Sequence, residues 1–178
     1  QIRRIFVKFR QNIPETITNQ CVISGCEGHT ERISSFVDHL FQPIAKIQKY
    51  TDFLHFIEKT KVAKDTLDVS SLYTNIPREE GIAIVCRTYE TSYGNKLPIP
   101  TQFLWEMLRL ILKDNYFIST GKTHGTAMGT KMAVSFANIV TAEIETDIIN
   151  QSPKKTLIWK RYIDDIFFLW NTNKEAIK

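Results

Sequence analysis

Cysteine is scarce in this chain, and what there is does not pair. Cys21, Cys26 and Cys86 form neither a CxxC motif nor an even set, which argues against a disulfide framework and against a thioredoxin-type redox site. Strung together with His29 and His39, Cys21 and Cys26 match no common zinc finger or knuckle spacing. A reducing, intracellular setting is therefore the expectation. No apolar run reaches the ~20 residues of a membrane helix, and no signal peptide is visible, so no membrane partner is expected. Glycine is sparse, at seven of 178 residues, and helical patterns abound. Charge is not extreme either: a net +4 and a pI near 8.9 permit nucleic-acid binding without requiring it. With 43% hydrophobic residues, the chain can bury one substantial core and reads as a single domain or a large piece of one. It opens on Gln1 and closes on Lys178, just past a strand-like run. Those ends read as those of a fragment of something longer.

Apolar periodicity places the elements. The first twenty residues predict a short strand and a loop. From Thr30, which can cap, Ile33, Phe36, Val37, Leu40, Phe41 and Ile44 mark the buried face of a helix that Pro43 kinks or ends. Thr51 begins a second, short helix through Phe53, Leu54, Phe56 and Ile57. A strand ends near Asp68, and Pro77 opens a helix carrying Ile82, Val85, Cys86 and Tyr89. After a loop over residues 94–100, Thr101 caps another helix with the stripe Leu104, Met107, Leu108, Ile111 and Leu112. Tyr116-Phe117-Ile118 reads as a strand entering a turn at residues 119–122.

Two acids stand out at the end of the chain. Asp164 and Asp165 lie in Arg161-Tyr162-Ile163-Asp164-Asp165-Ile166-Phe167-Phe168-Leu169-Trp170, between two apolar, β-prone runs. That pattern predicts a tight strand-turn-strand pushing both carboxylates out of a core. Magnesium takes one or two carboxylates plus water and substrate phosphate, so a further acid should join the pair, and Asp68 is the best candidate. Each acid also has an ordinary reading, Asp68 as a turn or cap residue and the pair as a solvated turn. The stretch Gly125-Thr126-Ala127-Met128-Gly129-Thr130-Lys131-Met132-Ala133 adds two glycines, small side chains and a lysine directly before a helix with Ala137, Val140, Ile144 and Ile148. Backbone there can approach a phosphate or a base pair closely, or the stretch is simply a hairpin tip. It lacks the spacing of a P-loop.

An acid at a strand end with an aromatic five positions on, a glycine-rich turn into a helix, and a Tyr-x-Asp-Asp hairpin resemble, in that order, the palm of reverse transcriptases. More narrowly, Ser24-Gly25, residues 30–34, Asp38-His39, residues 67–81 (LDVSSLYTNIPREEG), residues 125–133 (GTAMGTKMA) and residues 161–170 (RYIDDIFFLW) resemble the reverse transcriptases of Penelope-like retroelements. The resemblance runs from about residue 20 to the end of the chain. It implies an α+β right-hand polymerase region with an antiparallel palm sheet and helices packed on one face. Residues 1–60 would be fingers-like and 61–178 mostly palm, with thumb and any endonuclease domain absent.

The implied activity is RNA-directed DNA polymerisation for a retrotransposon, a nucleotidyl transfer. The implied partners are an RNA template, a DNA primer and deoxynucleoside triphosphates, and the setting is intracellular, nuclear if chromosomal DNA is the target. By the same resemblance Asp68 and Asp164, assisted by Asp165, would hold two Mg2+ ions, with Mn2+ a possible substitute. The ions would activate the primer 3′-hydroxyl and neutralise the departing pyrophosphate. Tyr73 would pack under the incoming sugar and disfavour a 2′-hydroxyl, although it also fits as a core tyrosine. Gly125, Thr126, Ala127, Met128, Gly129 and Lys131 would lie against the templating base pair, and Tyr162 would face the primer end.

The chain departs from the family pattern at several places. Where the fingers usually carry Arg-Pro-Ile-Val-Ser, it has Asn19-Gln20-Cys21-Val22-Ile23-Ser24, and glutamine cannot replace a bidentate cation on phosphate. Upstream, Lys8 is a poor stand-in for the family's lysine-rich segment. Val134 stands where a proline commonly follows, and the segment before Leu67 looks shortened. Weak or absent activity of the fragment alone is expected. A degenerate copy is implied, or else a non-catalytic relic or domesticated scaffold that still binds nucleic acid.

Overall fold

The computed structural model describes residues 28–45, 65–68, 72–114, 129–152 and 156–170, with side chains omitted at 65–68, 74, 114, 156–157 and 169–170. The expected N-terminal strand, the short helix from Thr51, the strand at residues 116–118 and its turn, and Cys21 and Cys26 lie outside the described residues. The rest is mixed α+β, mostly helical, with one small antiparallel sheet.

Helix α1 (Glu31–Ala45) starts where Thr30 accepts the Ser34 N–H at 2.8 Å. Its buried stripe is Val37, Leu40, Phe41 and Ile44. Phe36 was expected in that stripe but is 44% exposed, because it falls at the rim of the apolar arc. Pro43 does not stop the helix, which runs on to Ala45; proline is tolerated here within the last described turn.

Strand β1 (Asp65–Asp68) leads to a single helical turn, α2 (Leu72–Asn75). Pro77 then precedes α3 (Arg78–Tyr93), whose first turn carries Glu79 and Glu80, favourably placed at the positive end of the helix dipole. Gly94 ends it with φ 54°, its N–H donating to Glu90 O at 2.8 Å. Positive φ costs glycine nothing, and that is why it stands at this exit. The Tyr89 hydroxyl both donates to Ile99 O and accepts the Ile99 N–H, each at 3.0 Å, folding the 94–100 loop back onto α3. The neighbouring Tyr93 hydroxyl donates to Leu40 O at 3.0 Å and ties α3 to α1.

Helix α4 (Thr101–Asp114) buries Leu104, Leu108, Ile111 and Leu112 along the expected stripe. Helix α5 (Ala133–Gln151) is different. Every residue from Ser135 to Thr141 is buried, so it has no solvent face there and runs through the core of the described residues, touching α1, α2 and α3. Ile148, farther along, is 41% exposed, since the last turns of α5 leave that interior. At Gly81, α3 comes so close to α5 that an added Cβ would lie 2.9 Å from Phe136 Cζ and 3.0 Å from Ile76 Cγ2.

Strands β2 (Thr156–Tyr162) and β3 (Asp165–Trp170) form a hairpin, and β1 pairs with the other edge of β3, giving the antiparallel order β1-β3-β2. Central β3 is buried at Ile166, Phe167 and Phe168 alike. Cross-strand partners Trp159 and Phe168 stack with ring centroids 5.7 Å apart. None of the described helices is long and apolar enough to cross a membrane.

Candidate active site at the acidic hairpin

Tyr162 and Asp165 are cross-strand partners, so the hairpin turn consists of two residues, Ile163 and Asp164. A two-residue hairpin needs positive φ at its first turn position, and glycine usually supplies it. Here Ile163 does so at φ 52°. For a β-branched side chain this conformation is strained by about 1–3 kcal/mol, so something outside the turn must hold it. The outcome is the one the apolar flanks predict: Asp164 and Asp165 are exposed, and the three residues after them are buried.

The third acid arrives from far away in sequence. Asp68, the last residue of β1, is the register partner of Asp165, and antiparallel partners stand about 4.5–5.5 Å apart at Cα. The Asp68 side chain itself lies outside the described residues. Like charges directly opposite each other on paired strands destabilise the pairing, and a cation relieves exactly that kind of repulsion. Carboxylate oxygens are the hard donors that Mg2+ or Mn2+ takes, so the residues present suit such an ion. Among the described side chains, no group of three or more His, Cys, Asp or Glu is close enough to hold one.

Tyr73 on α2 is half-buried beside this turn. Burial pushes its phenol pKa up, and the negative charge of Asp164 and then Tyr162 push it further. The phenol therefore keeps its proton as a neutral donor. Tyr73, Tyr162 and Asp164 are thus electrostatic neighbours although they come from three separate elements.

Of the glycine-rich stretch, Gly125, Thr126, Ala127 and Met128 lie outside the described residues. Gly129 is half-buried and precedes a turn that α1 holds in place. Ser34 Oγ accepts the Met132 N–H at 3.1 Å, and Ser135 Oγ donates to Asp38 at 2.6 Å. Gln42 Nε2 donates to Asp38 at 3.0 Å and to Ser135 Oγ at 3.3 Å. Lys131 Nζ lies 3.3 Å from Glu31. The Met132 amide and the Lys131 ammonium, both candidates for an anion, thus have partners on α1.

A polar network behind the hairpin was not anticipated. Arg161 has a side chain only 10% exposed, and its Nε lies 2.9 Å from Glu145 Oε2. That is an ion-pair contact without hydrogen-bond alignment. Its Nη1 donates to Asn138 Oδ1 and, at 3.0 Å, to Ile163 O, while Nη2 donates to Asn138 O at 3.2 Å. Asn138 Nδ2 donates back to Val134 O at 2.9 Å, which leaves its Oδ1 for the guanidinium. Glu145 Oε1 also accepts the Trp159 indole N–H at 3.0 Å. One signal could have revealed it: Asn138 and Glu145 are seven apart on a helix, hence on one face, within an otherwise apolar segment.

No family model, curated protein or solved structure matches this chain.

Proposed function

We propose that the chain is a fingers/palm region of an RNA-directed DNA polymerase of the Penelope-like retroelement type, in which an antiparallel palm sheet with helices packed on one face carries the acids. The observation that supports it best is the register pairing of Asp68 with Asp165, beside Asp164 in the adjoining turn. Sequence order, the exposure of Asp164 and Asp165 ahead of a buried strand and the proximity of Tyr73 to Asp164 all agree with that reading. Asp68 and Asp164, with Asp165, would hold Mg2+, which when bound supplies Lewis-acid activation and charge neutralisation for phosphoryl transfer. Tyr73, kept protonated beside Asp164, would exclude a ribose 2′-hydroxyl. Tyr162, an electrostatic neighbour of Tyr73, would face the primer end. RNA template, DNA primer and deoxynucleoside triphosphates are the substrates this assigns.

Mg2+-dependent extension of a DNA primer on an RNA template tests the reading, with Asp164→Asn as control. Weak extension by the wild-type chain that disappears in Asp164→Asn is expected. Extension that survives the substitution overturns the assignment of the turn. Template–primer binding with no extension at all favours the second reading, a nucleic-acid-binding relic, which the glutamine at position 20 already commends.

A further inference from the structure

We infer that Arg161 is a positioning residue for the acidic turn, and that helix α5, acting through Asn138 and Glu145, sets where Asp164 stands. The inference rests on the proposed metal-binding role of that turn. Its starting point is the conformation of Ile163, which a β-branched residue does not adopt by preference. The turn's own sequence therefore does not hold its geometry. The restraint comes from behind: Arg161 donates to Ile163 O at 3.0 Å, the carbonyl of the peptide that carries the Asp164 nitrogen. Fixing that oxygen fixes the plane of the peptide from which Asp164 departs.

The guanidinium is in turn immobile. It is gripped by Asn138 through both a side-chain and a main-chain oxygen and by Glu145 through an ion pair at 2.9 Å. Glu145 is itself oriented by the Trp159 indole, and Trp159 is stacked on Phe168. A planar fork can serve three acceptors in fixed directions, whereas an ammonium group cannot. Helix α5 begins at the Gly129–Met132 turn that α1 holds through Ser34. One helix, buried from Ser135 to Thr141, therefore connects the Gly129–Met132 turn to the acidic turn and sets the interval between them. A network of this kind around ligating carboxylates has the place that outer-shell partners have in metal sites, where their loss weakens metal affinity without removing a ligand.

Mn2+ binding to the 178-residue chain, followed by the electron paramagnetic resonance of the free ion alongside thermal melting, tests the inference without any activity measurement. Arg161→Lys keeps a positive charge beside Glu145 but cannot also reach Ile163 O and Asn138. The double variant Arg161→Met, Glu145→Met removes both buried charges at similar volume, a replacement that folds well in comparable cases. Both are expected to fold cooperatively, with a melting temperature lowered because the buried Asn138 oxygens lose their donor, and to bind Mn2+ about tenfold more weakly. Glu143→Gln, on the solvent side of the same helix, should leave Mn2+ affinity unchanged. Wild-type affinity in a folded Arg161→Lys or double variant overturns the inference, as does equal weakening by Glu143→Gln. Failure of both Arg161 variants to fold overturns it too, because the network would then be a requirement of the fold. If Asp164→Asn abolishes Mn2+ binding while Arg161→Lys leaves it intact, only the positioning role fails. If Asp164→Asn has no effect, the metal reading fails first.

Discussion

Two glutamates stand two residues apart on α5, and each holds an arginine at nearly the same distance. Glu143 meets Arg87 of α3 at 2.8 Å with side chains 39% and 63% exposed, and Glu145 meets Arg161 of β2 at 2.9 Å with side chains 11% and 10% exposed. Distance alone would rate them equal. Water separates them: the outer pair is screened and can dissolve into solvent, while the inner pair is bound to whatever else lies in the same dry seam. Buried ion pairs add little net stability over an apolar replacement but are very costly to break singly. The inner pair is therefore better understood as a device for fixing geometry than as a source of stability.

The sharpest way to break that contrast is Glu145→Ala. It leaves Arg161 buried without its counter-charge and should cost about 3–5 kcal/mol in urea unfolding; a cost below that of an ordinary surface substitution would mean that water reaches the seam. Next in size is Gly81→Ala, which probes the apolar side of α5. Alanine favours the helix by about 1 kcal/mol, but its Cβ must displace the wholly buried Phe136 ring, so a net loss of about 1–2 kcal/mol is expected. A gain in melting temperature would show that the ring moves freely.

An alkaline titration is expected to be milder still. Burial, and then the charge of Glu90, raise the Cys86 thiol from 9.0 to about 11. Below pH 9 both folded and unfolded chains keep the thiol proton, and nothing changes. Between pH 9 and 11 the unfolded chain ionises first, so stability falls with rising pH by at most about 1.4 kcal/mol per unit. Tyr73 and Tyr89, also raised, add losses of the same sign above pH 10. Cys86→Ala should flatten the first part of that decline, and an unchanged slope between pH 9 and 10 would refute the assignment. The smallest effect belongs to Glu143→Ala, which should cost less than about 0.5 kcal/mol and vanish in high salt; a larger, salt-insensitive cost would erase the distinction between the two pairs.

The helices were largely legible because burial leaves a periodic trace. Leu104, Leu108, Ile111 and Leu112 recur at helical spacing, and Pro77 and Gly94 mark where α3 begins and ends. The hairpin was legible too, since Asp164 and Asp165 interrupt two apolar runs. What left no local trace was long-range. An acid was expected to join the pair, and Asp68 was named from cation chemistry, but no residue near it encodes its register with Asp165. The seam was silent for a related reason. Asn138 and Glu145 are single polar residues in an apolar helix, and their partner Arg161 looks like any basic residue at the start of a strand. Phe36 and Ile148 err in the opposite direction, as apolar residues at the rim or past the end of a buried stripe.

The pairing of β1 with β3 bears on when, as well as where, the acids meet. Asp68 and Asp165 are separated by about a hundred residues, and contacts across such a span are made late because the intervening chain must first be condensed. The helices between them can gather locally, but the third acid reaches the hairpin only once they have done so. Under the metal-binding role proposed for these acids, competence for a divalent ion would then be a readout of completed folding. In a stopped-flow refolding experiment, Mn2+ capture should lag helix formation and coincide with the slowest phase.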